Sequence, residues 1–371
     1  MTGAPPRRVR EWFPTADAMW QLQPRRRRHV PGQLNLKSCE LLHPDVERWH
    51  ADALGRLRPG AVVEYPLAGP ATDAVAAHFG QDPGRVLLTP GSDHAVQLVA
   101  EALAAPSGRL VVARPHFDGW TTCATRFGFR LDGVDLPHRA PQGVAPLVER
   151  LLAGAPGVLV LTQPDSITGH LYTAGELERA VAAAHGHGSV VVVDTCYLAY
   201  AEGGEATVRA LPEWDNALRI NSFSKSHGLA GARLGAVLGE ESMIDYLARW
   251  SPDGPLSHVG LALLERALAE PAVFRAARAE VRTARAELAA AVERTLPGWS
   301  ARPTAANFVA FDAEPEEAGR VYTALLDAGI RTRLLNGEPG FSGGLRVATP
   351  SRSAVARVTD VLAGLPARTR S

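Results

Sequence analysis

Asn221–Gly235 reads NSFSKSHGLAGARLG. The stretch opens on small hydroxyl residues, offers one amine at Lys225, loosens through Gly228 and Gly231 and closes on Arg233 before an apolar run. Lys225 is also compositionally unusual. Of 39 lysines and arginines only Lys37 and Lys225 are lysine, so a chain that almost always uses arginine for positive charge keeps an amine here. An amine can lose its proton and attack a carbonyl, which a guanidinium cannot do.

Working outward, Leu218–Asn221 leads into this stretch and Leu234–Leu238 follows it, both reading as strands. Upstream, Arg85–Leu88, Arg109–Ala113, Gly157–Thr162 and Ser189–Val193 are short apolar runs separated by helical patterns. Strands that are apolar throughout, alternating with helices, describe a mainly parallel sheet sandwiched by helices, an α/β fold. Ligand groups in such sheets gather at the carboxyl ends of the strands. Ser92, Phe117, Asp165, Asp194 and Lys225 all stand at such ends.

The turn Thr89-Pro90-Gly91-Ser92-Asp93 joins a strand to the helical pattern HAVQLVAEALAA, which presents free backbone N–H groups and a positive dipole end to an anion. It can equally be read as a turn in which Ser92 or Asp93 caps the helix. Phe117 can stack on a planar ligand or fill core. Asp194 ends a buried valine strand, where a carboxylate is costly unless a positive group meets it. An amine able to form an imine, a carboxylate for a protonated ring nitrogen and a phosphate seat are together what pyridoxal phosphate needs.

The residues SFSKSHGLAGARLG, PGSDHAV and DTCY, in this order, resemble the lysine, phosphate and Asp-Glu-Ala-Tyr motifs of the fold-type I pyridoxal-phosphate enzymes, class I/II aminotransferase branch, histidinol-phosphate aminotransferase-like group. The similarity runs from about Tyr65 to Ala348. It implies pyridoxal 5'-phosphate as cofactor. The pattern of the residues themselves divides the chain into a Pro- and Arg-rich arm over residues 1–45, a large cofactor domain over 46–250 and, where strands and helices change order, a smaller α+β domain over 251–371. The resemblance gives Lys225 the covalent link to the cofactor and the proton transfer at the substrate α-carbon. It gives Asp194 the ring nitrogen, Tyr197 the phenolic oxygen, Phe117 the ring face, and Ser92, Asp93, Ser222, Ser224 and Arg233 the phosphate. Tyr65 resembles the tyrosine that reaches the neighbouring subunit's phosphate, which implies a homodimer with shared sites. Arg346 matches the arginine that clamps the substrate carboxylate, Asn307 lies on the strand beside it, and Arg333 is placed like the arginine that binds a distal phosphate.

The sequence departs from the family in three places. Ser166 stands where an asparagine would meet the phenolic oxygen, with Asp165 beside it; Thr195 replaces the glutamate of Asp-Glu-Ala-Tyr; and Lys37-Ser38-Cys39-Glu40 replaces the family's Asn-Glu-Asn-Pro pocket segment. Transamination of an amino acid or an amine derived from one, in specialised metabolism, is the leading expectation. Decarboxylation, elimination or cyclisation, and oxidation are the alternatives on the same core, and intact Lys225 and Asp194 argue against a catalytically silent regulator.

Composition bounds the rest. Formal net charge is zero, so no electrostatic feature beyond the Arg25–Arg28 run points to nucleic acid or an anionic membrane. Cys39, Cys123 and Cys196 share no metal-ligand spacing, which suggests no metal and a reducing compartment. With no apolar leader or membrane-length run, cytoplasm is the expected location.

Overall fold

The computed structural model describes residues 10, 16–20, 22, 30–136 and 143–365; the Arg25–Arg28 run lies outside them. After β1 (Leu34–Asn35) come the strands of the main sheet: β2 (Val86–Thr89), β3 (Arg109–Arg114), β4 (Arg130–Asp135), β5 (Val158–Thr162), β6 (Val190–Asp194), β7 (Ala217–Ser222) and β8 (Gly235–Gly239). Their spatial order is β2-β8-β7-β6-β5-β3-β4. Successive side chains of a strand point to opposite faces, and here both sets are apolar. Leu110, Val112, Val158, Val160 and Val192 enter one core, while Val111, Leu159, Leu161, Val191 and Val193 enter another on the other face. A sheet apolar on both sides needs cover on both, which helices such as Asp118–Phe127 on the first face and Ala174–Gly186 on the second provide.

The sheet is parallel except at β8, which runs antiparallel to both β7 and β2. The reason is local. A parallel return needs a crossover of a dozen or more residues with a helix, and the segment from β7 to β8 holds only the four-residue helix Phe223–Ser226. The strand β4 gives little signal in the sequence, because RLDGVD mixes charge and glycine with two apolar residues. It lies at the sheet edge beside β3.

That edge is fastened by a buried ion pair. Arg109 Nε lies 2.8 Å from Asp132 Oδ2, with both side chains about 5% exposed or less, and Arg109 Nη1 donates to the Leu151 and Ala155 carbonyls at 2.8 Å. Burial alone would raise the Asp132 carboxyl, but the Arg109 hydrogen bond and the charges of Arg130 and Arg150 outweigh it and hold the carboxyl below its ordinary value. Asp132→Asn leaves the guanidinium buried and unpaired, and is expected to lower the free energy of urea unfolding by about 3–5 kcal/mol. A carboxyl depressed in the folded state stabilises at neutral pH and loses that contribution as pH falls through the folded value. The gap between wild type and variant therefore narrows in acid.

The second, smaller sheet holds β9 (Ser300–Ala301), β10 (Phe308–Asp312), β12 (Arg333–Leu334) and β13 (Gly344–Ala348) in the antiparallel order β12-β13-β10-β9. The run Arg331–Leu335 reads as one strand but forms parts of two short ones, β11 (Ile330–Arg331) and β12, interrupted at buried Thr332. They serve different partners. β11 pairs in parallel with β1, and β12 pairs with β13. The β1–β11 pairing lays the segment 34–41 across the small sheet, where Ala348 N–H also donates to the Leu36 carbonyl at 3.1 Å. Helix Pro44–Gly55 begins just beyond, its His43 cap accepting from Asp45 N–H.

Candidate active site

The segments that follow β6 and β7 carry three side chains of different chemistry, a carboxyl, a phenol and an amine. Asp194 closes β6, is 5% exposed, and accepts the Cys196 N–H at 3.0 Å. Burial pushes its carboxyl above the ordinary value, because the charged form has lost water. Tyr197 follows, buried, its ring edge-on to Phe308 with centroids 5.5 Å apart, and burial likewise raises its phenol.

Lys225 rides on the short helix Phe223–Ser226, which begins where Ser222 Oγ accepts from Ser224 N–H at 3.3 Å. The backbone around the lysine is gripped from outside. Tyr200 Oη donates to the Lys225 carbonyl at 2.7 Å, Arg278 Nη1 donates to the Ser226 carbonyl at 2.7 Å, and His50 Nε2 lies 2.9 Å from the His227 carbonyl. The side chain itself points the other way, its Nζ donating to the Ser38 carbonyl at 2.6 Å.

Ser38 belongs to a row of three carbonyls. Arg346 Nη2 donates to the Lys37 carbonyl at 2.6 Å, Lys225 Nζ to Ser38, and Asn307 Nδ2 to the Cys39 carbonyl at 3.0 Å. Cys39 adopts φ 58°, uncommon for a residue with a side chain, and bends the chain there. The segment that replaces the family's pocket motif thus touches three of the expected site residues through its backbone alone.

Arg346 is buried, with its guanidinium carbon 4.9 Å from the centre of the Phe308 ring. Its Nη1 donates to the Ser166 carbonyl, and its Nε has no partner. Ser166 Oγ and Asn307 Oδ1 are buried without partners as well. Asp165 turns away: its Oδ1 accepts from Ile167 N–H, Thr168 N–H and Thr168 Oγ1 at 2.7–3.0 Å, closing the turn that follows β5. The carboxylate beside Ser166 is therefore a turn-former.

The phosphate-side motif forms a cradle. Gly91, at φ 76°, is the N-cap of the helix Ser92–Val99, and no side chain caps that helix. Of the two readings of Ser92 and Asp93, capping is the one not realised, and the first amides of the helix stay free for an anion. β8 crosses so close that a Cβ on Gly235 would lie 2.7 Å from Gly91 C and 2.8 Å from Ser92 N. Arg233 Nη2 reaches the same turn, 3.3 Å from Asp93 Oδ2. Phe117 is half-buried at the start of the helix Asp118–Phe127, and Gly119 makes room for it: a Cβ there would meet the Phe117 ring at 2.2 Å.

Two expected residues stand differently. Tyr65 is 95% exposed on the loop after the helix Gly60–Val63 and joins nothing in its own chain's site. Arg333 lies directly across the β12–β13 pair from Arg346, but its Nη2 is 2.8 Å from Glu338 Oε1 and 3.5 Å from Asp118 Oδ1.

The model for "Aminotransferase class I and II" matches residues 32–362. The chain belongs to the class I and II aminotransferase family. Among the relatives of this aminotransferase, histidinol-phosphate aminotransferase 2 of Nitrosococcus oceani is 29% identical over 301 residues, 80% of each chain. The structure of histidinol-phosphate aminotransferase from Sinorhizobium meliloti in complex with pyridoxal-5'-phosphate superposes with a TM-score of 0.76 over 89% of this chain and 90% of that one, at 22% identity. L-threonine-O-3-phosphate decarboxylase from Porphyromonas gingivalis shares the fold at a TM-score of 0.72, 89% and 98% coverage and 16% identity. The fold-type I α/β architecture, the aminotransferase-like activity and pyridoxal phosphate as cofactor, expected from the sequence, stand.

The side chains of this aminotransferase fit that cofactor on independent grounds. A buried carboxyl with a raised proton affinity awaits a positive partner, a helix start with uncapped amides awaits an anion, and Ser166 Oγ is buried without a partner on the residue whose carbonyl Arg346 holds. Thr195 has a different task from the glutamate it replaces. Its Oγ1 donates to the Ile220 carbonyl at 2.8 Å and accepts from Arg219 Nε at 3.0 Å, and Arg219 in turn binds both oxygens of Glu205 and covers Phe79 at 4.4 Å. The residues missed from sequence are the carbonyl holders Tyr200, Arg278 and His50; the segment 37–39 was marked as a departure, but its backbone contacts were not. Backbone acceptors carry no side-chain signature, and nothing in the spacing of Tyr200 or Arg278 marks them. Among the described residues no group of three or more His, Cys, Asp or Glu side chains could hold a metal, and no helix is long and apolar enough to cross a membrane.

Proposed function

We propose that this chain transfers the amino group of an α-amino acid, or of an amine derived from one, as a cytoplasmic homodimer of specialised metabolism. The observation that carries the reading is the meeting of Lys225 and Arg346 on the segment 37–39, together with the buried, raised carboxyl of Asp194 and the uncapped helix at Ser92. When bound, pyridoxal phosphate supplies an electron sink for the α-carbon of the substrate. The protein does the rest. Asp194 would hold a proton at the ring nitrogen, Tyr197 and Ser166 would donate to the phenolic oxygen, and Phe117 would cover the ring. Ser92, Asp93, Ser222, Ser224 and Arg233, with the free amides, hold the phosphate. Lys225 Nζ, released from the Ser38 carbonyl, carries a proton to and from the substrate carbon.

Arg346 binds the substrate carboxylate after exchanging the Lys37 carbonyl for it. Arg346→Lys keeps the charge but loses the fork, and is expected to raise the KM for the amino acid by roughly tenfold to a hundredfold, the equivalent of about 1.5–3 kcal/mol, while cofactor affinity holds. Steady-state kinetics beside a cofactor titration checks both halves. Asn307 steadies the segment behind this clamp through the Cys39 carbonyl.

Arg333 supports a substrate unlike histidinol phosphate. Its guanidinium already has Glu338 and Asp118, so a distal phosphate would compete with two carboxylates. Tyr65 supports the dimer: with Val62, Val63 and Leu67, also more than 70% exposed, it forms an apolar run that a second copy would cover while receiving the tyrosine at its own phosphate. The test is mass spectrometry of products from an amino-acid panel that includes histidinol phosphate, with 2-oxoglutarate as acceptor, with and without oxygen. A new amino acid supports transfer. Carbon dioxide, an eliminated fragment or oxygen-dependent product in its place would replace the reading with another reaction on the same core.

A further inference from the structure

Behind the lysine helix lies a cavity of about 260 Å³ that the reaction above does not use. Phe223, Ser226 and His227 line it, whereas Lys225, Asp194 and Arg346 do not. Its charge is one-sided. Arg278 reaches in from the helix Ala272–Thr295 and, among the described residues, has no carboxylate partner; its only hydrogen bond is to the Ser226 carbonyl. Arg275 and Arg282, one turn to either side, add to the positive field around it. The single acid of the lining, Glu205, has both oxygens engaged by Arg219 Nη2, at 3.0 and 2.8 Å. The rings of His78 and His227, centroids 5.9 Å apart, close the same side, and Phe79 and Phe223 form an apolar wall.

We infer that this cavity is a second ligand site, taking a small organic carboxylate whose anionic end meets Arg278 and the two histidines and whose apolar body lies against Phe79 and Phe223. A monoanion with an apolar body suits one guanidinium that lacks a carboxylate partner and lies beside aromatic rings better than a fully hydrated dianion does. Occupancy competes with the Ser226 carbonyl for Arg278, one residue from Lys225, so the ligand bears on the backbone that carries the reactive amine. The site is independent of which amino acid the enzyme accepts.

The test is calorimetric titration of the cofactor-loaded protein with benzoate, and separately with inorganic phosphate. Because benzoate could also occupy the substrate clamp, Arg346→Gln serves as the control. Benzoate is expected to bind wild type and Arg346→Gln with equal affinity and to bind Arg278→Gln at least about tenfold more weakly, as the loss of a charge-assisted contact implies. Ala206→Trp, at an exposed position of the cavity wall, blocks the space without touching the guanidinium and is expected to abolish the same binding; it decides the matter if Arg278→Gln does not fold. The proposal fails if wild type binds no benzoate, if binding is lost with Arg346→Gln and kept with Arg278→Gln, or if phosphate occupies the Arg278 site more tightly than benzoate does.

Discussion

Lys225→Ala is expected to lower turnover by about 10⁴-fold, the upper end of what one positioned proton-transfer group contributes. Borohydride treatment should then leave no cofactor covalently attached to the chain. Lys37, the only other lysine, is not expected to substitute. It is exposed on the segment crossed by Arg346, and burial of part of its stem together with the charges of Arg331, Arg333 and Arg346 lowers its ammonium. A lowered amine is the more reactive one, so the double variant Lys37→Arg, Lys225→Ala is the proper reference. A covalent adduct that survives in Lys225→Ala and disappears in the double variant would move the nucleophile to Lys37. Circular dichroism should be unchanged, since the contacts that hold the helix Phe223–Ser226 go to its backbone.

Asp194→Asn carries the second large effect, and its sign depends on the cofactor. In the cofactor-free protein the Asp194 carboxyl is raised by burial, so the folded state binds its proton more tightly than the unfolded state does. Stability is then full below the unfolded value and declines as pH rises through the folded one. Above that range the neutral amide is the better occupant. The cofactor-free variant is expected to unfold at a denaturant concentration no lower than wild type at pH 8. With the cofactor the order reverses. An amide cannot balance a protonated ring nitrogen, and cofactor affinity should fall by roughly tenfold to a hundredfold, about 1.5–3 kcal/mol. Equilibrium dialysis and urea unfolding, run on the same two proteins, read the two signs. A cofactor-free variant less stable than wild type at pH 8 would show that the Asp194 charge is already compensated in the apoprotein.

The main sheet was legible because its physics is repetitive. Valine runs such as Val190–Val193 are buried on both faces and cannot be mistaken for surface strands. β8 was visible as a strand and invisible in direction, since direction is set by the length of the connection. β4 was lost in its own charges, which are explained only by Arg109 and the sheet edge. At the site, Lys225, Asp194 and the Gly91 turn could be read because their chemistry demands particular side chains. The contacts at residues 37–39 could not, because any residue supplies a carbonyl. Arg333 shows the same limit in reverse: its spacing from Arg346 was readable, and its pairing with nearby Glu338 and distant Asp118 was not.

The grip on the carbonyls of residues 225–227 has a bearing on time. With Tyr200, Arg278 and His50 holding the main chain, the only motion left to the reactive amine is rotation about its own methylenes. Such rotations take picoseconds to nanoseconds, against turnover of about 1–10³ per second for ordinary enzymes. The swing of the lysine is thus too fast to pace the cycle. The substrate carboxylate has also to part Arg346 from the Lys37 carbonyl, a contact made to main chain and not to a side chain.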